Sequence, residues 1–165
     1  MKVTIMTKVA RCVSTGLLLA AVYWFGGCGP KLGADFVKLD RVPEGKALIY
    51  IYRPFGNAGF IYPIDIHANG KLVVSMPHQS YYPYLIEPGE VEFTSRWGLK
   101  QVDESVTIHA KPGEIYYVKT IIRPVGRTAP AILEVVSLED GEDEIKECKL
   151  ILLDERDGAV KKKGM

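Results

Sequence analysis

The sequence predicts an all-β protein, specifically an antiparallel β-sandwich, immunoglobulin-like or transthyretin-like, of about seven to eight strands with one short C-terminal helix. Two observations carry this prediction. Short apolar runs follow one another from Ala47 onward, separated by turn residues roughly every 8–12 positions, a spacing typical of sandwiches and small barrels. Pro-Gly-Glu turns at 88–90 and 112–114 each lead directly into such a run, because proline fixes φ and glycine accepts a positive φ.

The first two strands differ in how they are expected to be covered. Ala47–Tyr52 is apolar throughout, which predicts a central strand buried on both faces. Residues 61–68 alternate instead, so Asp65 and His67 are expected on a solvated face. The opposite face of that strand, directed toward the core, is expected to hold Tyr62, Ile64 and Ile66.

The remaining elements follow from the turns and breaks between them. Asn69-Gly70 is the dipeptide most typical of a two-residue hairpin, because a type I′ turn needs a positive φ at both positions. Pro83 interrupts the run Tyr81–Ile86 and predicts an edge strand, since proline cannot donate to a sheet. Acidic residues precede basic ones over Glu142–Leu150, an order that suits a helix dipole and predicts the one helix. Further strands are expected at 71–75, 91–97, 102–110, 115–122 and 131–138.

The first 27 residues have the pattern of a secretory signal peptide. Three cations and no acid precede an apolar stretch at Val13–Phe25. As a helix this stretch would be roughly 20 Å long. A bilayer core is about 30 Å thick, so the length favours a cleaved signal over a permanent span.

The signal ends in Phe25-Gly26-Gly27-Cys28, which resembles the lipobox of bacterial lipoproteins. The resemblance implies that the Cys28 thiol receives a lipid, that the chain is cut between Gly27 and Cys28, and that the new amino terminus is acylated. Several acyl chains together anchor a protein stably in a membrane. Gly29 in place of Asp implies sorting to the outer membrane, with the domain facing the periplasm.

These features divide the chain into a signal peptide (1–27), a lipidated tether (28–46), a β domain (47–150) and a C-terminal tail (151–165). The tether prediction rests on the irregular order of Gly, Pro, Lys and Asp, a composition that lets a domain stand off the bilayer. The tail carries Lys161, Lys162 and Lys163 and has the composition of a chain terminus without fixed structure.

Net charge and cysteine content indicate which kinds of molecule the protein is expected to bind. The net charge is +1, and loss of Lys2, Lys8 and Arg11 with the signal leaves a slightly acidic chain, unlike a nucleic-acid-binding protein. Cys148 has no disulfide partner once Cys28 is lipidated, so it is expected to be a small buried residue. The expected partners are the membrane, through lipid on Cys28, and a protein or cell-wall component of the envelope. No nucleic acid and no cofactor is expected.

No catalytic residues are predicted, and the protein is not expected to be an enzyme. Its serines lie outside any Gly-x-Ser-x-Gly elbow, and the sequence has no glycine-rich phosphate loop. Asp65 and His67 would need His109 or Glu92 to complete a metal site, and a solvated strand face is the preferred interpretation, with no metal predicted. A hydrolase acting on cell wall or carbohydrate and a periplasmic metal-binding protein stay as alternatives.

Aromatic residues supply the candidate binding surface. Tyr and Trp rings give contact area together with a polar group, which suits a sugar or a peptide, although Tyr also packs well within strands. The loops 55–60 and 75–82 are the expected location, since binding residues concentrate on loops. The predicted surface consists of Tyr52, Phe55, Phe60, His78, Tyr81 and Tyr82.

A series of segments, in a fixed order, resembles a family of small bacterial lipoproteins that share domain of unknown function 2846. The segments are Ala47–Pro54, Asn69–Lys71, Tyr81-Tyr82, Glu87–Glu90, Gly113–Val118 and Glu147–Leu150. The similarity covers residues 45–150, and its specificity lies in the order of the segments. The resemblance implies a β-rich, envelope-facing domain with no established activity and no catalytic residues to carry over.

Overall fold

The computed structural model describes residues 31–56, 58–59, 61–97, 104–124 and 129–153. Within these ranges the protein has ten strands, one α-helix and one 3-10 turn. The helix α1 is Leu138–Glu144, and the 3-10 turn at Ile145–Glu147 continues it. The strands are β1 Lys31–Asp35, β2 Ala47–Arg53, β3 Ile64–Ala68, β4 Lys71–Met76, β5 Ser80–Ile86, β6 Gly89–Arg96, β7 Glu104–Ala110, β8 Ile115–Ile122, β9 Ala131–Val136 and β10 Lys149–Leu152.

The strands form two sheets. The six-stranded sheet has the order β1-β10-β5-β2-β8-β9, and the four-stranded sheet has the order β4-β3-β6-β7. Each sheet buries one apolar face in a shared core, which is the usual way for two sheets to remove those faces from water. The predicted all-β, sandwich-like fold with one short C-terminal helix is therefore confirmed.

Strand β2 lies inside the six-stranded sheet, and every one of its residues is buried. It pairs antiparallel with β5 and parallel with β8. Because side chains alternate along a strand, Ile49 and Ile51 belong to the inter-sheet core, while Tyr50 and Tyr52 belong to a second cluster on the outer face. The prediction of a central strand covered on both faces is confirmed.

Apolar residues of both sheets meet in the inter-sheet core. Ile64 and Ile66 of β3 and Phe93 of β6 are fully buried there. Tyr84 of β5 packs edge-on against Phe93, with ring centroids 6.2 Å apart. Each fully buried Ile or Phe side chain stabilises the fold by about 1.5–3 kcal/mol relative to exposure, so these contacts hold the two sheets together.

The second cluster lies between the outer face of the six-stranded sheet and α1. Tyr50 and Tyr117 stack there with ring centroids 5.3 Å apart, and Phe36 contacts Tyr50 edge-on at 5.2 Å. The helix begins after Ser137, whose side chain accepts a hydrogen bond from the Asp140 amide (3.1 Å) and so caps the first turn. The short helix and the segment before β2 together cover the tyrosines.

Gly141 marks the closest contact between α1 and the sheet, since a Cβ on this residue would lie 2.3 Å from Cγ of Tyr117. We expect Gly141→Ala to lower the free energy of unfolding by about 1–3 kcal/mol through overpacking, although alanine favours the helix by about 1 kcal/mol. Chemical denaturation measures this change. Gly56→Ala is the matched control, because a Cβ there meets nothing within 4 Å. Equal losses in the two variants would contradict the packing argument.

The Asn69-Gly70 hairpin is confirmed. The φ angle is 48° at Asn69 and 76° at Gly70, and Ala68 pairs with Lys71 across the turn. The Asn69 side chain also accepts a hydrogen bond from the Glu92 amide (3.0 Å), which fixes the turn against β6. The turn therefore sets the register between β3 and β4 and is itself attached to the neighbouring strand.

Two details of the predicted sandwich are wrong. The pairing is not wholly antiparallel, because β2 pairs parallel with β8 and β10 pairs parallel with β5. Between β2 and β8 the chain forms all four strands of the second sheet and also β5 of the first, and it re-enters the first sheet at β8 in the direction of β2. A long crossover of this kind is what parallel neighbours require. The described residues also contain ten strands in place of seven to eight, since β1 and β10 lie partly or wholly outside the predicted domain.

Strand β1 lies within the segment predicted to be a tether, and β10 extends past the predicted domain boundary at residue 150. Lys31 pairs with Leu152 and Asp35 pairs with Lys149. The sequence did not predict β1 because it is an edge strand with little burial and therefore has no alternating apolar pattern. Ordered sheet therefore begins at least as early as Lys31, three positions after Cys28.

The helix was predicted too far toward the C-terminus. The prediction was 142–150, whereas α1 is Leu138–Glu144. Ser137 caps the helix earlier, and the backbone at Cys148 is already extended, with φ −93° and ψ 151°. Cys148 is buried in the second cluster and Leu150 packs against it. Tertiary burial of these two residues overrides the charge order that favoured a longer helix.

Strand β5 is not the edge strand that Pro83 predicted, because β2 lies on one side of it and β10 on the other. However, β10 pairs only with Ser80 and Tyr81. Beyond that point β5 has no described partner on this side, and Pro83 lies in this stretch. The missing backbone donor is tolerated because the sheet is locally one strand narrower.

Candidate binding surface

Arg53 ends β2 with its side chain in the protein interior, where the residue is 2% exposed. Its guanidinium donates to three backbone carbonyls: Nη1 to Tyr62 (2.9 Å) and Met76 (3.0 Å), and Nη2 to Gly59 (2.6 Å). Tyr62 and Gly59 belong to the loop between β2 and β3, and Met76 ends β4. One side chain therefore holds this loop against the end of the four-stranded sheet.

Strand alternation explains why an arginine enters the core here. Arg53 lies on the same face of β2 as Ile49 and Ile51, which face the inter-sheet core. Burial lowers the pKa of the Arg53 guanidinium to about 10, and no carboxylate of the described residues contributes to the shift. Among the described residues, three carbonyl oxygens compensate the buried charge, so their loss would leave it poorly solvated.

A histidine joins the same loop to the segment before β5. His78 Nε2 lies 2.9 Å from the Gly56 amide nitrogen and 3.1 Å from the Gly56 carbonyl oxygen. The imidazole ring packs edge-on against Phe55, with ring centroids 5.2 Å apart. Ser80 donates its hydroxyl hydrogen to the Pro77 carbonyl (2.6 Å), which fixes the turn that presents His78.

Three large apolar side chains point into solvent from this fixed loop. Phe55 is 62% exposed, Ile61 is 72% exposed and Tyr62 is 63% exposed. We call these three residues, together with His78, the Arg53-end surface. Exposed apolar groups on a backbone held from the inside are typical of surfaces that bind.

The sequence placed Tyr62 on the core-facing side of a strand beginning at residue 61, and this is wrong. Strand β3 begins at Ile64, and Tyr62 is exposed. Pro63 cannot donate a backbone hydrogen bond, and the Tyr62 carbonyl accepts from Arg53 rather than from a neighbouring strand. Ile61 and Tyr62 thus become loop residues, which adds them to the candidate surface.

Two residues of the predicted binding surface are buried instead. Tyr52 is 0% exposed and donates its phenolic hydrogen to Glu144 Oε2 (2.7 Å). Tyr81 is 4% exposed and packs against Phe36. Tyr82, its neighbour on β5, is half-buried against the inter-sheet core, on the other face of the sheet. Strand alternation therefore prevents Tyr81 and Tyr82 from sharing one surface.

Of the other predicted site residues, the structure describes Phe55 and His78 but not Phe60, Gly27 or Cys28. Phe55 and His78, which come from the two loops of the predicted surface, are in contact. Phe60 lies outside the described residues, as do Gly27 and Cys28. Signal cleavage and lipidation at Cys28 stay predictions.

Asp65 and His67 lie half-buried on β3, where Asp65 accepts a hydrogen bond from the Ser75 hydroxyl. His109, named as a further ligand, lies on β7 with its Nδ1 3.5 Å from Glu90. Across the ranges that the structure describes, no group of three or more His, Cys, Asp or Glu side chains is arranged to hold a metal ion.

Cys148 is fully buried, as the sequence predicted, and its thiol lies 3.5 Å from the Arg53 carbonyl. Burial raises the pKa of this thiol to about 12, with smaller contributions from the charges of Glu147 and Glu144. A thiolate is the reactive form of cysteine, so these surroundings suit a packing role.

The opposite end of the sandwich carries a polar groove of about 500 Å³. Lys46 and Glu87 form an ion pair across part of it, and the Asn69-Gly70 turn and Lys71 form another wall. Exposed ion pairs contribute little and are screened by salt. The accessible lining of the groove is more polar than apolar, so it is the weaker candidate for binding an apolar partner.

Three comparisons set this geometry beside known proteins. No family model, no curated protein and no solved structure matches the chain. The resemblance to the lipoprotein family that shares a domain of unknown function therefore stays a prediction. Among the residues that the structure describes, no helix combines the length and the apolar character needed to span a bilayer.

Proposed function

We propose that this chain is a lipid-anchored protein of the bacterial envelope whose β domain is a binding module for another envelope protein. The observation that carries the binding proposal is the exposed apolar loop of Phe55, Ile61 and Tyr62, held from inside by Arg53. The anchoring proposal rests on Cys28 and on the signal-like segment before it.

The fixed backbone supports binding because the loop would lose little conformational entropy when a partner binds. A mobile loop must be ordered on association, and that entropy weakens affinity. Here Arg53 and His78 hold the loop at Gly59, Tyr62 and Gly56 before any partner arrives. Exposed aromatic anchors on such a backbone are the residues that contribute most at protein interfaces.

The chemistry of the Arg53-end surface favours a protein over a sugar. Sugar sites need polar groups that pair with hydroxyls around a central ring. The Arg53 guanidinium is engaged by backbone carbonyls, and His78 Nε2 is engaged by Gly56. Ile61 and Phe55 present aliphatic and aromatic area instead, which suits an apolar patch on a folded partner.

Cys28→Ser tests the anchor. Cells supplied with a fatty-acid probe should label the unaltered protein in the membrane fraction, while the variant should be unlabelled and leave that fraction. Cys12→Ser is the matched control, because Cys12 lies in the predicted signal and should not affect labelling. A labelled, membrane-bound Cys28→Ser protein would overturn the anchoring proposal.

A photo-crosslinking amino acid at Tyr62 tests the binding surface in cells that express the full chain. We expect one adduct of defined mass that proteases remove and that Ile61→Asp abolishes. The same crosslinker at Leu138, 57% exposed on α1, is the matched control and should give no such adduct. An adduct removed by a cell-wall hydrolase would mean a glycan partner, and equal adducts at both positions would mean non-specific contact. Either result contradicts the proposal, as would no adduct at Tyr62.

A further inference from the structure

The distance between Cys28 and the folded sheet limits how far the domain can stand from a membrane. Lys31 already pairs with Leu152 in the β1–β10 ladder. Three residues can span at most about 10 Å, whatever conformation they adopt. A lipid on Cys28 would therefore hold the first residue of β1 at the bilayer surface.

The corner of the sheet next to that point is apolar and exposed. Leu32 is 43% exposed, Leu152 is 47% exposed and Leu153 is 52% exposed. In register, Lys31 lies opposite Leu152, and Leu32 lies opposite Ile151. Leu152 therefore shares one face of the ladder with Lys31, and Leu32 shares the other face with Ile151, so exposed leucines flank the start of β1 on both faces. We call Leu32, Leu152 and Leu153 the leucine corner.

Two further features of the leucine corner suit a lipid surface. Among the described strands, β1 has a partner only on its β10 side, so its other edge is left to be covered. The chain that follows Leu153 carries Lys161, Lys162 and Lys163 within ten residues. Cationic side chains near a membrane are attracted to anionic lipid headgroups.

We infer that the leucine corner sits on the bilayer itself, so that the anchored protein has one fixed orientation and no flexible tether. The inference rests on the proposed lipidation of Cys28. The lipid surface is the proposed occupant of this corner, because Cys28 is only three positions from β1 and the leucines there are about half exposed.

The orientation places the Arg53-end surface away from the membrane. From Lys31, β1 runs to Asp35, which pairs with Lys149, and Lys149 is level with Ser80 and Arg53. Four strand residues advance about 13 Å. Phe55 and Tyr62 lie beyond Arg53 in this direction, so they face the periplasmic space, where a partner can reach them.

Tryptophan quenching in vesicles tests the inference. The full lipidated chain carrying Leu153→Trp is reconstituted into vesicles whose acyl chains bear bromine, and Ile61→Trp is the matched control. We expect brominated lipid to reduce the added emission of Leu153→Trp by about twofold or more, and to leave that of Ile61→Trp unchanged. The unsubstituted chain gives the Trp97 background. Leu32→Trp is a second variant for the same corner, in case Leu153→Trp does not fold.

The outcomes separate the two proposals. If the chain does not float with the vesicles, the anchor itself fails. If it floats but both positions are quenched alike, or neither is quenched, the anchor stands and the fixed orientation is overturned. Emission at the corner that changes with protein density but not with brominated lipid would place a second copy of the chain there, and would overturn the inference as well.

Discussion

Arg53→Met is expected to lower the free energy of unfolding by about 3 kcal/mol. The substitution keeps an unbranched apolar stem but removes the donors for the carbonyls of Gly59, Tyr62 and Met76. The Met76 contact is fully buried, whereas the other two are partly buried and can be hydrated when the loop shifts. Relief of the buried charge offsets part of the loss, which keeps the estimate below the sum of three orphaned acceptors.

Chemical denaturation at neutral pH measures the change. Arg123→Met is the matched control, because this exposed arginine pairs with Glu134 (2.8 Å) and should change stability by no more than about 0.5 kcal/mol. Arg53→Lys should fall between the two, since one ammonium cannot reach three carbonyls in the planar arrangement of a guanidinium. A loss at Arg53 no larger than that at Arg123 would show that the internal contacts do not hold the loop.

The same variant connects stability to function. If Arg53 fixes the loop, amide hydrogen exchange in Arg53→Met should rise at residues 55–62 more than in β6, which has its own sheet partners. The crosslinking yield at Tyr62 should fall with it, because the apolar side chains would then need ordering on binding.

Local sequence patterns predicted those elements whose burial is decided by their immediate neighbours. β2 is apolar on both faces because a layer covers each face, and the Asn69-Gly70 turn needs only two residues with positive φ. The alternation in β6 likewise places Val91 and Phe93 in the core. In each case the cause of the structure lies within a few residues of the pattern.

The features that the sequence did not predict depend on contacts between segments far apart in the chain. β1 is ordered by β10, more than a hundred positions away, and shows no apolar period of its own. Tyr52 and Tyr81 were assigned to a surface because no local signal shows that α1 and Phe36 cover the outer face of the sheet. Aromatic residues on strands have the same pattern whether a helix lies over them or solvent does.

The internal position of Arg53 could have been predicted from the sequence. Counting in twos from Ala47 through Ile49 and Ile51 leads to residue 53 and places it on the core side. A charged residue at a core position that ends an apolar strand indicates an internal structural contact.

Alkaline pH is expected to unfold the domain cooperatively, because four buried tyrosines retain protons that the unfolded chain releases. Burial raises the pKa of Tyr50, Tyr52, Tyr81 and Tyr117, and the hydrogen bond to Glu144 adds to the effect at Tyr52. An unfolded tyrosine titrates near about pH 10. Their contribution to stability is therefore fully present below that pH and is lost as the pH rises above it.

Tyrosinate absorbance and near-UV circular dichroism, followed together, measure this transition. The part of the absorbance that comes from the buried tyrosines should change at the same pH as the dichroism, because their ionisation requires unfolding. Tyr52→Phe removes one retained proton and should make the pH dependence shallower, whereas Tyr62→Phe, at an exposed position, should leave it unchanged. More tyrosinate than the exposed tyrosines can supply, formed while the dichroism is intact, would contradict the prediction.

The change in the free energy of unfolding with pH follows from the number of protons that the folded and unfolded states bind. Each proton that the folded state retains lowers the free energy of unfolding by about 1.4 kcal/mol per pH unit. The four tyrosines act in this direction, and so does the Cys148 thiol, whose pKa burial raises to about 12. Arg53 acts in the opposite direction, because its lowered pKa makes the folded state release a proton that the unfolded chain keeps. The groups that retain protons outnumber Arg53, and a typical stability is about 5–15 kcal/mol, so the domain should unfold within a few pH units above about 10.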